Sequence, residues 1–186
     1  MKITVSTHKL FGYRATLRTA KQLATPAVKL VNRSVPGSMP DVQITLTNPR
    51  GMAELATLAE VELAGGGVDK RVRDREERQA AREGRDVAGR AVPLADGSVL
   101  VLINVDQNDS PGEFAITLVH ELVHAMQFSR KGVRERVIRD RRHCFKVERQ
   151  SRWQARENER CHDEEEREAY SREYLADQIV PGARAA

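Results

Sequence analysis

The sequence predicts an α+β domain, a small mixed or antiparallel sheet packed against several helices. Three observations lead there. Short segments alternate apolar and polar residues at strand period, while longer ones repeat apolar residues at helical period. A chain of 186 residues with 40% hydrophobic and 31% charged residues is sized for one domain and apolar enough for one core. The stretches 68–86 and 133–160 are too highly charged to join that core, so they are expected as charged helical or flexible insertions in a single domain spanning 1–186.

In the first segment, Ile3 and Val5 alternate with polar neighbours and read as a strand. Residues 12–32 carry Leu17, Ala20, Leu23, Ala24, Ala27, Val28 and Val31 at helical spacing, a helix interrupted by Pro26. The cluster 35–40 (VPGSMP) is a loop. Val42, Ile44 and Leu46 then alternate with Gln43, Thr45 and Thr47 as a half-buried strand that ends at Asn48-Pro49-Arg50-Gly51. Residues 52–64 are helical, and Gly65-Gly66-Gly67 stop them. After the charged stretch comes a hairpin, with strands 87–94 and 98–105 about a turn at Ala95-Asp96-Gly97. The run 99–103 is apolar on both faces, which makes it the most buried strand.

The next helix is clearly punctuated. Ser110 stands at the N-cap, Pro111 at the first helical position and Glu113 three residues after the cap. Phe114, Ala115, Leu118, Val119, Leu122 and Val123 give it a broad apolar surface, and Gly132 is its expected stop. A last helix is expected from near Asp163 to Ile179, before Pro181-Gly182.

The net charge of +4 comes from 31 basic and 27 acidic residues, and the densest stretches mix both signs. Mixed signs suit solvated helix faces laced with ion pairs and argue against a nucleic-acid groove. No run approaches the roughly eighteen apolar residues of a membrane span, and the first residues lack the apolar core of a secretory signal. The expectation is a cytoplasmic protein with no membrane partner. Two cysteines, Cys144 and Cys161, cannot build a disulfide framework. Nothing in the sequence sets the oligomeric state.

The chemistry lies in His120-Glu121-Leu122-Val123-His124, an H-E-x-x-H motif inside the well-punctuated helix. Residues four apart lie one turn apart on one face, so both imidazoles can reach a single metal ion. Neutral imidazole nitrogen suits Zn²⁺, and two such ligands leave room for a third and a water. Glu121 projects beside that metal, where it can take a proton from the bound water. Two histidines and a glutamate within an aliphatic helix would be costly to bury without partners, and a shared metal removes that cost.

A third ligand is expected downstream, among three glutamates. Glu166 and Glu173 are seven apart and share a helical face with Tyr170 and Asp177, whereas Glu168 points roughly the opposite way. A helix passes a metal once, so one of Glu166 and Glu173 binds while the other supports a ligand or faces solvent.

The stretch H-E-L-V-H-A-M-Q (120–127), followed some forty residues later by E-R-E-A-Y and E-Y-L-A-D, resembles the gluzincin branch of zinc metallopeptidases. The resemblance covers the site helix, the terminal helix and the strand-before-helix order. It implies a zincin-like fold and an H-E-x-x-H site completed by a glutamate on a later helix. Glu165-Glu166-Arg167-Glu168-Ala169 resembles the third-ligand stretch of small bacterial effector-type metallopeptidases, which implies Glu166. Glu173-Tyr174-Leu175-Ala176-Asp177 resembles the corresponding stretch of prenyl-protein-type peptidases, which implies Glu173 instead, with Asp177 orienting a ligating histidine. The resemblance also assigns the strand 99–105 to the rim of the cleft, with an edge open to extended substrate. No third histidine follows His124 at the metzincin spacing.

The reading is a zinc-dependent metallopeptidase acting on peptide or protein substrates, with Glu121 as general base and His120, His124 and Glu166 as ligands. Tyr170 or Tyr174 could donate to an oxyanion. His143-Cys144 and Cys161-His162 match no zinc module and read as solvated or half-buried residues. His8 is isolated and is given no role. The alternative is a non-catalytic, zinc-stabilised regulatory module whose charged helices bind a protein or nucleic-acid partner. Salt dependence of DNA binding and chelator-sensitive peptide cleavage separate the two.

Overall fold

A computed structural model describes residues 1–183. In chain order it forms β1 (Ile3–Thr7), α1 (Arg14–Ser34), β2 (Val42–Thr47), α2 (Pro49–Leu63) and α3 (Lys70–Glu83). There follow β3 (Gly89–Pro93), β4 (Val99–Asn104), α4 (Pro111–Phe128), α5 (Val133–Cys144) and α6 (Arg152–Arg172), with a closing 3₁₀ turn, Glu173–Gln178. Among the described residues this is an α+β fold with six helices and a mixed sheet of four strands. The strand order is β1-β2-β4-β3; the first three run parallel and β3 is antiparallel. No described helix is long and apolar enough to cross a membrane.

The sheet separates two cores. Val99, Val101 and Ile103 of β4 join Ile44, Val28 and Val31 and the Leu118 and Leu122 side chains of α4 on one face. Leu100 and Leu102 join Val92 and the Met52, Ala56 and Ala59 side chains of α2 on the other. Successive strand residues point to opposite faces, so a strand covered on both must be apolar throughout. That is why 99–103 reads as an unbroken apolar run and why every residue of β4 is buried.

Several expectations need correcting. Pro26 does not interrupt α1, which runs through it while Ala20, Ala24, Ala27, Val28, Leu30 and Val31 enter the core. Their burial offsets the lost N–H bond. Asn48-Pro49 does not merely end β2: the Asn48 side chain accepts from the Gly51 N–H and Pro49 takes the first helical position, so the pair opens α2. Gly132 does take a left-handed φ of 82°, but it opens α5; α4 already ends at Phe128. The stretches 68–86 and 133–160 contain helices, one of the two forms expected of them, and neither α3 nor α5 buries a residue.

The last helix begins earlier than expected, at Arg152, where Ser151 and Gln154 form a capping box. It ends earlier too, at Arg172. The expected rim strand, β4, is hydrogen-bonded on both sides; the edge strands are β1 and β3, and β3 is the one beside α4.

Candidate metal centre

α4 begins at a complete capping box between Ser110 and Glu113. Its aliphatic face is buried from Leu118 to Val123, which fixes the rotation of the helix and turns His120 and His124 toward α6. The two Nε2 atoms lie 3.2 Å apart. Glu166 reaches across from α6, with carboxylate oxygens 3.5 Å from His120 Nε2 and 3.2 Å from His124 Nε2. Ligand atoms of these three residues all lie within 4.8 Å of one another.

This donor set fits zinc. Two nitrogens about 2.0–2.1 Å from one tetrahedral ion stand roughly 3.3 Å apart, close to the separation seen. The far side of each ring is also held. The Glu173 carboxylate lies 3.0 Å from His120 Nδ1 and can only accept, so Nδ1 donates. Gln127 Oε1 lies 2.8 Å from His124 Nδ1. The Gln127 amide nitrogen faces two acceptors, the Glu165 carbonyl at 2.9 Å and Glu168 at 3.0 Å, which fixes the amide orientation and makes its oxygen the acceptor from His124. Both rings therefore carry their neutral-state proton on Nδ1 and present a lone pair at Nε2, the form a metal ligand requires.

Without metal, protons take the same place. Burial opposes protonation of His124, but Glu166 and Glu121 outweigh it and raise the ring's pKa to about 9. His120 is shifted up with the same balance of causes, burial opposing and Glu166 prevailing. Hydrogen bonds from His120 and His124 hold the Glu166 carboxyl far below the usual carboxylate range.

Glu121 is only 6% exposed, and burial pushes its carboxyl above the ordinary value against the opposing charges of His124 and His120. It sits beneath β3. A Cβ on Gly89 would come within 2.6 Å of Thr117 Cγ2 and 2.8 Å of Glu121 Oε1, so any larger residue would force Thr117 and Glu121 to shift. The Ala91 backbone N–H bonds to Glu121 and draws its pKa back down.

Asn104 N–H donates to Ala88 O and Leu94 N–H to Ser98 O. With the register Arg90↔Leu102 and Val92↔Leu100, the backbone groups of Gly89, Ala91 and Pro93 therefore point away from β4. Pro93, lacking an N–H, suits such an edge. The edge opens on a cleft of about 1240 Å³ that His120, Glu121, His124 and Glu166 line, with α3, α5 and α6 contributing walls.

The expected residues thus divide. His120, His124 and Glu166 converge, Glu121 lines the same cleft, and Glu173 meets His120 Nδ1 from behind. Glu168 binds Arg130 through both oxygens, at 2.6 and 2.8 Å, away from the metal cluster. The orienting role expected of Asp177 falls to Glu173, since Glu173 and Gln127 meet the two Nδ1 atoms; Asp177 lies half-buried in the closing turn. Tyr170 is 62% exposed and sets its ring edge-on to His120 at 4.8 Å, bordering the cleft.

His143 faces the backbone of Glu148 and Gln150, and the Cys161 thiol faces Glu157. Neither joins a cluster of three ligands among the described residues. His8 lies 3.4 Å from Glu54. Sequence reasoning missed Gln127, Gly89 and Ala91. The Gln127 signal was present in its i+3 spacing from His124. The other two depend on strand pairing, which spacing within one helix does not reveal.

Comparison with protein-family models, curated proteins and solved structures gives no match.

Proposed function

We propose that this chain is a zinc-dependent metallopeptidase of minimal gluzincin type, hydrolysing peptide bonds in peptide or protein substrates. The observation that carries the reading is the convergence of Glu166 on both Nε2 atoms while Glu121 lies buried beside them under an open strand edge. His120, His124 and Glu166 would hold the ion. Zinc there supplies Lewis acidity to the attacking water and to the scissile carbonyl.

Glu121 takes the proton of the attacking water and passes it to the leaving amine. Its raised pKa makes it a stronger base than an exposed carboxylate, and the Ala91 N–H holds it in place. The outward Gly89 N–H and the carbonyls of Gly89, Ala91 and Pro93 suit an extended peptide added along β3, which would lay a substrate backbone across the cleft, while the Ala91 N–H stays with Glu121. Tyr170 stands at the cleft border as a candidate donor to the developing oxyanion.

The test is zinc content and cleavage of a mixed peptide library by the wild type and Glu121→Gln. Zinc should be retained in both, with chelator-sensitive cleavage in the wild type alone. Cleavage by the variant removes Glu121 from the mechanism. A wild type that folds but takes up no zinc when supplied with it removes the centre itself.

A further inference from the structure

Helix α1 turns a face of one sign to solvent. Its 21 residues contain no acid, and Arg14, Arg18, Lys21 and Lys29 are all exposed. At about 100° per residue they fall within one strip roughly 80° wide along the helix. The acids at the two ends of β1 are already engaged, Asp41 by the N-terminal amine and Glu54 by Lys9. The loop entering α1 adds Phe11, 94% exposed, and Tyr13, 40% exposed. Lys9 and Gly12 on either side of the tip take left-handed φ values of 53° and 90°, which turn the loop so that Leu10 packs on the core while Phe11 projects.

Each of these features is unfavourable in water alone. Like charges one turn apart, as in Arg14/Arg18 and Arg18/Lys21, repel. Arg14 occupies the positive end of the helix, where an acid would stabilise. Phe11 keeps a large apolar surface hydrated. One kind of partner reverses all three: a surface that is anionic outside and apolar beneath.

We infer that the outward face of α1, with Phe11 at its entry, docks the protein on anionic lipid membranes. The strip on a helix about 30 Å long lies against headgroups, and Phe11 enters the acyl boundary. No residue of α1 lines the cleft, so docking by this face leaves the cleft open. This departs from the expectation of no membrane partner.

The test is co-sedimentation of the full chain with phosphatidylcholine vesicles, with and without about one third phosphatidylserine. The wild type should sediment with the anionic vesicles and not the neutral ones. Combining Arg14→Gln, Arg18→Gln and Lys21→Gln should weaken binding about a hundredfold. Phe11→Ser should weaken it about tenfold with unchanged salt dependence.

Circular dichroism checks folding, and Arg71→Gln with Arg78→Gln on α3 provides a charge control that should bind as the wild type. Equal sedimentation with both vesicles overturns the inference, as does a loss in the α3 control as large as that in the α1 variant. Binding of an oligonucleotide through these same α1 residues, with no vesicle binding, assigns the face to nucleic acid and overturns it equally.

Discussion

Glu166 and Glu173 grip opposite nitrogens of one imidazole. Glu166 lies 3.5 Å from His120 Nε2 and Glu173 lies 3.0 Å from its Nδ1. Seven residues apart on an unbroken α-helix, the two carboxylates would project in nearly the same direction. α6 instead ends at Arg172, and the chain tightens into the 3₁₀ turn Glu173–Gln178. The change of winding falls between the two carboxylates, and Glu173 approaches the ring from behind.

That division predicts unequal losses. Glu166→Ala removes a ligand atom and should leave little zinc bound. Glu173→Ala leaves the three ligands but frees the ring, and should weaken zinc affinity about 10–100-fold. Competition against a chelator of known affinity measures both. A larger loss in Glu173→Ala would exchange the two roles.

Gln127 ties the centre to the rest of the fold. It is 1% exposed, and its amide joins His124 to Glu165 and Glu168, while Glu168 holds Arg130. Gln127→Ala leaves half-buried partners unmet and should destabilise the fold by about 1–3 kcal/mol. It should also weaken zinc binding, because His124 is then free to change tautomer. Urea unfolding with and without chelator measures the first effect and metal titration the second. Unchanged zinc affinity would confine Gln127 to a packing role.

The metal-free protein should lose stability in alkali. His124 has a folded-state pKa of about 9 against an ordinary 6.5. A raised histidine pKa adds stability in full below the unfolded value and loses it as pH rises through the folded one. In chelator, the melting temperature should therefore fall between about pH 6.5 and 9 by an amount that His124→Gln removes. Zinc competes with the same proton, so binding near pH 7.5 should release protons, seen as a calorimetric heat that depends on the buffer. Zinc uptake with no proton release would contradict the charged, Glu166-paired ring.

Different physical scales explain what was legible beforehand. The H-E-x-x-H geometry, the Ser110 cap and the two-faced β4 are set within one helical turn or one strand, so residue spacing alone displays them. Glu166 was legible as one of two candidates because a seven-residue spacing fixes direction but not where a helix ends. The break at Arg172 depends on how the closing turn buries Leu175 and Ala176 against the core, a tertiary effect. The open edge was misassigned to β4 for the same reason. Strand order is decided by what covers each face, and the apolar content of 99–103 speaks for a central position.

Gly89 tests the link between that edge and the base. Its backbone does not take a left-handed φ, so alanine is permitted by conformation and excluded only by contact. The added methyl would meet Thr117 Cγ2 at 2.6 Å and the Glu121 side chain at 2.8 Å. β3 must then lift, or Glu121 must turn toward the metal ligands. Gly89→Ala should destabilise the protein by about 1–3 kcal/mol. His120, His124 and Glu166 remain in place, so zinc stoichiometry should hold while kcat for peptide cleavage falls. On the proposed mechanism the base has then moved, and the acid limb of the kcat profile should move with it. A folded variant with wild-type kcat and pH profile would show that the carboxylate does not need the space glycine leaves.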